Sequence, residues 1–335
     1  MNVKMFGEIC DAFGPSGFEE DVIRTVAKYC KGLELENDAM NNLYARMPGE
    51  DPEKPVVMLD AHTDECGFMV QSIRENGSLE ILMLGGVILT NLPAHTVMIR
   101  TRSGKLVRGI ISSKPIHFMN EAERASQSLS IETLSVDVGA VSRKEVTEVF
   151  GISIGDPAVP EVSFSYDEER DLCFGKAFDN RAGCACIIDT MTRLCGEKDQ
   201  LAVRVTGAFA AQEDFYFSAA QTQGHMRGGV QIRRMDKSYI SNPVFIEYAE
   251  ELAKKFGIPF QETVRRGGST NAGKISLTAK AVPVLVLGVP SRYVHTHYNF
   301  CAKSDLEAAA DLAVEVIRGL DAEKIRHICR QDILK

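Results

Sequence analysis

Pro55-Val56-Val57-Met58-Leu59-Asp60-Ala61-His62-Thr63-Asp64 is the stretch whose reading decides the fold. Its first five residues are apolar without interruption. Such a run, lacking polar alternation, predicts a strand covered on both faces, as in a central parallel sheet. His62 and Asp64 follow just past its end. Working outward, residues 201–211 read as a second strand ending at Gln212-Glu213-Asp214. Residues 281–288 read as a third, ending shortly before His295, and Asp179-Asn180 opens an apolar helix over 182–194. Open α/β sheets bind ligands outside the carboxyl ends of their strands. Four chain segments therefore bring His, Asp and Glu side chains to one edge of one sheet.

The rest of the chain supports an α/β fold with an insertion. From about 68 to 162 the apolar runs shorten and Asn76-Gly77, Gly85-Gly86 and Ser103-Gly104 mark turns between strands such as 96–101 and 106–111. This predicts a small β-rich domain over 68–162 set into a catalytic domain of 1–67 and 163–335. Ser16-Gly17-Phe18-Glu19 and Ser304-Asp305-Leu306-Glu307 read as capping boxes that open helices. Asn242-Pro243 reads as a cap with proline at the first helical position, and Gly257 closes that helix. The chain has 335 residues, 44% hydrophobic, with a net charge of -8. That balance argues against a phosphate-tracking surface and hence against nucleic acid as partner. No stretch approaches ~20 uninterrupted apolar residues, so no membrane span is expected. The nine cysteines are scattered, with no C-x-x-C pair, which predicts reduced thiols in a cytoplasmic protein.

These residue types suit a two-metal hydrolytic centre. Imidazole and carboxylate ligate zinc, cobalt or manganese, and one carboxylate can bridge two ions. Asp179 is the candidate bridge, with His62 and His295 as terminal ligands on opposite ions and Asp214 as a further ligand. Asp64, two residues beyond His62, is placed to accept the far N–H of that imidazole. Glu213 is the candidate general base. Taken singly, each has an ordinary reading: Asp179-Asn180 as a helix cap, Glu213-Asp214 as a solvated loop, a lone histidine as structural. Their shared placement after strands is what raises the chemical reading.

Leu59-Asp60-Ala61-His62-Thr63-Asp64-Glu65-Cys66-Gly67-Phe68-Met69-Val70 resembles the first metal motif of the tetrahedral aminopeptidases, the glutamyl and deblocking enzymes formerly mislabelled as endoglucanases. Phe13-Gly14-Pro15-Ser16-Gly17-Phe18-Glu19-Glu20 resembles their opening motif. Gly109-Ile110-Ile111-Ser112-Ser113-Lys114-Pro115 and Asp137-Val138-Gly139-Ala140 resemble their inserted domain. Ala177-Phe178-Asp179-Asn180-Arg181 and Arg292-Tyr293-Val294-His295 resemble the bridging-aspartate and last-histidine motifs. The resemblance implies a mixed-sheet zinc-peptidase domain with helices on both faces, interrupted by a β-barrel-like dimerisation domain. It implies two divalent ions, zinc or cobalt, peptide substrates, and self-association through dimers into particles such as dodecamers. By matching position, His62, Asp179, Asp214 and His295 are ligands, Glu213 is the base and Asp64 orients His62.

The chain departs from that pattern. Gln212-Glu213-Asp214-Phe215-Tyr216 stands where the family has Gln-Glu-Glu-Val-Gly, and Ser269-Thr270-Asn271-Ala272 where it has Gly-Thr-Asp-Ala. Between Phe215 and Met235 there is no Asp or Glu. The family carries a helix, a strand and a terminal metal-binding aspartate in this region. Gln221 to Gly228 here leads directly into Gly229-Val230. Asp236 belongs to a separate matching segment, and His225 is the one metal-type side chain in the shortened stretch. The His62-side ion then keeps only His62 and Asp179, which predicts weak binding there. Two functions are expected: an aminopeptidase working through metal-activated water with Glu213 as base, impaired by the absent ligand, or a catalytically degenerate member serving as an oligomeric scaffold or binding protein.

Overall fold

In the computed structural model the described residues are 1–113, 117, 121, 129–211, 224–265, 268, 270–279 and 281–331. Helices α1 (Val3–Asp11) and α2 (Glu20–Tyr29) lead into strands β1 (Glu34–Asn37), β2 (Leu43–Arg46) and β3 (Val56–His62). Six strands follow: β4 (Gly67–Ile73), β5 (Leu79–Leu84), β6 (Thr96–Arg100), β7 (Leu106–Ser113), β8 (Leu134–Asp137) and β9 (Pro157–Pro160). The chain continues through β10 (Ser165–Asp167), β11 (Leu172–Gly175), the long α3 (Phe178–Leu194) and β12 (Arg204–Ala210). Next come β13 (Val230–Met235), α4 (Pro243–Phe256), β14 (Phe260–Val264), α5 (Asn271–Ile275) and β15 (Val286–Gly288). Strands β16 (Ser291–Arg292) and β17 (Asn299–Cys301) and helices α6 (Lys303–Gly319) and α7 (Ala322–Ile328) complete it.

Strands β4 to β9 close into a barrel in the order β4-β5-β8-β7-β6-β9. The turn chemistry legible in the sequence builds it: Gly77 at φ +87° turns β4 into β5, and Gly104 at φ +83° turns β6 into β7. Alternate residues of β7 face inward, Val107, Gly109 and Ile111. They meet Phe68, Val70, Leu79, Val97 and Ile99 in a continuous apolar interior. Gly109 has no substitute there, because a Cβ would lie 2.4 Å from Val136 Cγ1.

The remaining strands make three sheets, ordered β1-β2-β12-β3, β10-β11-β17-β16 and β14-β13-β15. The α3 helix lies on the first sheet and is almost wholly apolar where it packs, through Ala182, Ala185, Ile188 and Met191. Helices α4 and α6 cover the third sheet through Ile246, Ala249, Leu312 and Val316. All nine cysteines are free, and among the described residues no helix is long and apolar enough to cross a membrane.

Three local expectations are corrected. Among the described residues strand β3 pairs with β12 alone, and Val56 and Met58 are 53% and 45% exposed. The central-strand sequence thus has a described neighbour on one side only. The run over 281–288 is likewise shorter and more open than its sequence suggests, with only β15 in ladder and Val282 exposed. Neither Ser-x-x-Glu motif forms a capping box. Ser16 Oγ donates instead to Asp64 Oδ2 at 2.5 Å, and α2 begins one residue beyond Glu19. Ser304 Oγ donates to Asp171, and Glu307 pairs with Lys303 and the amino terminus. Tertiary partners outcompete the local bonds. The Asn242-Pro243 cap and Gly257 stop form as read.

Candidate metal centre

His62 ends β3, Asp179 opens α3, and His295 sits in the turn after β16 at φ +65°. The structure brings all three together. His62 Nε2 stands 3.4 Å from Asp179 Oδ1, and His295 Nε2 stands 3.6 Å from Asp179 Oδ2. Each carboxylate oxygen thus faces one imidazole. Two ligands held ~2.1 Å from one ion at a tetrahedral angle stand ~3.4 Å apart. Both spacings match such ligand edges. The histidine side chains are only 6% exposed, whereas that of Asp179 is 41% exposed and opens into a cavity. Among the described residues no three His, Cys, Asp or Glu side chains surround a common point. Asp179 stands between two histidines, which fits a bridge between two ions better than a single closed site.

The approach of α3 to β3 depends on small residues. A Cβ on Gly183 would lie 2.8 Å from the Ala61 Cβ and 2.4 Å from Asn180 Oδ1. Asn180 Oδ1 accepts the Gly183 N–H at 3.1 Å, and the Asp179–Asn180 peptide is cis. Arg181, wholly buried, anchors the surroundings. Its guanidinium donates to the carbonyls of Ile9, Cys10, Ala12, Gly14 and Thr63 and to Glu65 Oε1. Lys176 Nζ donates to both Glu65 oxygens at 2.7 and 2.8 Å. Burial holds Lys176 below the usual lysine range in spite of Glu65. One buried carboxylate and two cations so bind the end of α1, the start of α3 and the loop after β3 into one rigid frame.

Both imidazoles are oriented from behind. His62 Nδ1 faces Asp64 Oδ1 at 3.3 Å, the pairing expected from the His-x-Asp spacing. His295 Nδ1 faces Cys66 Sγ at 3.4 Å. Sequence reasoning missed Ser16 and Cys66 in these roles. Both lie inside motifs already quoted, but no spacing rule connects Ser16 to Asp64 across 48 residues. Although its side chain opens into the cavity, the surrounding protein still desolvates the Asp179 carboxyl and pushes it up, yet the hydrogen bond and charge of His62, with His295 and Arg233, outweigh this and hold the group well below the usual carboxylate range. Asp179 is therefore an anion, as a metal bridge requires.

Other candidates resolve differently. Asp236 is engaged by Arg233 and by Ser238, which agrees with its exclusion as a ligand. His225 lies in the turn before β13, where its backbone pairs with Gln261, and it does not line the cavity at Asp179. Asn271 donates to Asp60 Oδ2 at 2.9 Å, so the amide that replaces the family's acid has its own partner. Arg265 is largely buried and lines the cavity with Arg233; burial first, and then Arg233, lowers it to about 10. Glu213, Asp214 and Arg266 lie outside the described residues.

The sequence model of the M42 glutamyl aminopeptidases matches this chain over residues 41–227 and 215–312. The chain belongs to the M42 glutamyl aminopeptidase family. It is accordingly a peptidase of the aminopeptidase class. Similar relatives include the glutamyl aminopeptidase of Lactococcus lactis subsp. cremoris (strain MG1363). It is 27% identical over 320 residues, covering 89% of this chain and 90% of that protein. The lysyl aminopeptidase of Pyrococcus furiosus is 26% identical over 347 residues, covering 95% and 97%. Among solved structures, the TET aminopeptidase from the archaeon Thaumarchaeota archaeon SCGC AB-539-E09 superposes with a TM-score of 0.90 at 29% identity, covering 97% and 99%. The PhTET1 dodecamer shares the fold with a TM-score of 0.82 at 24% identity, over 96% of this chain and 100% of that one.

The alignments also carry a length difference. The P. furiosus match spans 347 positions, whereas 95% of 335 residues is about 318. The L. lactis match spans 320, against about 298 for 89% of this chain. Some 20 to 30 aligned positions thus have no residue here. The family match itself breaks and restarts between 215 and 227, in the connection from β12 to β13.

Proposed function

We propose that this chain removes N-terminal residues from short peptides at a two-metal centre bridged by Asp179, with His62 and His295 on opposite ions and Asp214 joining the His295 side. The observation that carries this reading is the Asp179 carboxylate held with one oxygen toward each buried imidazole, at 3.4 and 3.6 Å. Two divalent ions, zinc, cobalt or manganese, would there polarise the peptide carbonyl and acidify a water. Asp64 holds His62 with Nε2 forward, and Ser16 in turn holds Asp64. Glu213 takes the proton from the attacking water and returns it to the departing amine. An ion on the His62 side would be held the more weakly, by His62 and Asp179; the 20 to 30 unmatched alignment positions support an absent third ligand. The domain boundaries at 67/68 and 162/163 follow the barrel, which serves in dimerisation, and the tetrahedral and dodecameric neighbours favour a self-associating particle. The free thiols favour the cytoplasm.

A panel of aminoacyl anilides assayed with each metal, beside Glu213→Gln, tests the proposal. Metal-dependent turnover lost in that variant is expected. Absence of turnover with every metal would favour the second reading, an oligomeric scaffold or binding protein, to which the same unmatched positions point. Dialysed protein should retain one tightly held ion per chain; two would overturn the assignment of a weak His62 side.

A further inference from the structure

His62 ends a strand and Asp179 opens a helix, but His295 sits in a turn. Its φ is +65°, and Tyr293, two residues earlier, is at +60°. Non-glycine residues keep such backbone only where their surroundings over-determine it. Asn299 Nδ2 donates to the Tyr293 carbonyl at 2.8 Å from within the catalytic domain. The inserted barrel also holds the turn. The Ile88 N–H points at the His295 carbonyl at 3.5 Å. Cys66 Sγ stands 3.4 Å from His295 Nδ1 and donates to the Gly86 carbonyl at 4.0 Å. Gly86 and Ile88 belong to the loop from β5 to β6, and Cys66 to the crossing from β3 into β4.

Cys66 is itself fixed from both sides. The Glu65 N–H donates to the Gly14 carbonyl at 3.0 Å, and the Glu65 carboxylate is held by Lys176 and Arg181. Gly67 is packed so closely that a Cβ there would lie 2.6 Å from the Ala158 carbonyl oxygen and 2.8 Å from Pro15 Cβ. A thiol can donate and accept. With the His295 Nε2 lone pair left for an ion, Nδ1 carries the hydrogen and donates to Sγ, while the S–H faces Gly86. Each donor in that series has an acceptor.

We propose that Cys66 is a positioning residue, and that through it and Ile88 the inserted barrel sets the orientation of the His295 ring. The proposal rests on the metal-centre reading. It makes the two histidines unequal. His62 is backed by the Asp64 carboxylate, which raises the basicity of the ring. His295 is backed by a neutral, weakly accepting sulfur whose place depends on how the barrel is seated.

The test compares Cys66→Ala, Cys66→Ser and Ile88→Pro in the full chain. Serine restores a donor and acceptor; proline removes one N–H at a residue whose φ of -79° suits it. Affinity for the tightly held zinc ion is measured by competition with a chelator, and the absorption spectrum of the cobalt-loaded chain reports ligand geometry. Urea unfolding of the metal-free chain confirms that each variant folds; if Cys66→Ala does not, Cys66→Val replaces it. Cys66→Ala and Ile88→Pro should each weaken zinc by about tenfold or more and change the cobalt spectrum, whereas Cys66→Ser should stay near wild type. Equal losses in the alanine and serine variants would reduce Cys66 to packing and overturn its role. Wild-type affinity and spectrum in Ile88→Pro would overturn the part given to the barrel. His295→Ala separates the two readings. If it leaves the tight ion untouched, the metal-centre reading falls and this proposal with it. If it releases the ion while Cys66→Ala keeps it, the proposal alone is refuted.

Discussion

Replacing Ser16 by Ala removes one hydroxyl and leaves the backbone alone. That hydroxyl donates to Asp64 Oδ2 at 2.5 Å in a fully enclosed setting, where Asp64 is 0% and Ser16 8% exposed. A hydrogen bond to a charged group contributes about 1.5–3 kcal/mol, and the loss leaves a buried carboxylate with one donor fewer. The cavity created is a single oxygen wide and adds little. Urea denaturation should therefore show a loss of about 1.5–3 kcal/mol. The same change frees Asp64 to rotate and loosens its hold on His62 Nδ1. Metal ligands lose roughly 10–100-fold in affinity when such supporting contacts go, so binding on the His62 side should weaken by that order while the His295 side is spared. A double-mutant cycle with Asp64→Asn isolates the pair. A stability change below about 0.5 kcal/mol, or a coupling near zero, would show that Ser16 does not support Asp64.

Other expectations follow from the same packing. Gly183→Ala should destabilise by about 1–3 kcal/mol in spite of better helix propensity, since its Cβ would press on Ala61 and Asn180; a gain in thermal stability would refute the close α3–β3 approach. Asn271→Asp should cost about 1–3 kcal/mol at neutral pH by replacing a donor to Asp60 with a like charge, measured by urea denaturation, and a neutral effect would refute that contact. Lys176 titrates below the ordinary value of about 10.4 because burial penalises its charge. Between its folded pKa and that value the unfolded chain holds more protons, so stability rises with pH across the window. The advantage of the wild type over Lys176→Met should accordingly grow from pH 8 toward 10; a pH-independent difference would mean that Lys176 titrates normally.

Much of the site was legible because its signals are local. His62, Asp179 and His295 each follow a recognisable strand run or open a helix, but they were expected at one edge of one sheet, and the strands before His62 and His295 lie in different sheets that the tertiary fold brings together. The barrel announced itself through Asn76-Gly77 and Ser103-Gly104, since turns with positive φ need those residues. The two serine-glutamate motifs misled for the complementary reason: a capping box is only one of several partners a hydroxyl can choose. Asp64 and Asp171, distant in sequence, proved to be the better ones. Cys66 behind His295 could not be read at all, as 229 residues separate them.

The sequence by itself offered the metal-ligating residue types, the Asn242 start and Gly257 stop of one helix, and a β-rich unit that interrupts the α/β pattern. All of these depend on periodicity and side-chain chemistry within a few residues. Only the tertiary structure decided that Asp179 divides its two oxygens between His62 and His295, that Arg181 ties six acceptors into the supporting frame, and that β3 has one partner strand among the described residues. Pairing of strand edges is a long-range choice. Pro55-Val56-Val57-Met58-Leu59 carries the composition of a central strand whether or not a neighbour is present to cover it.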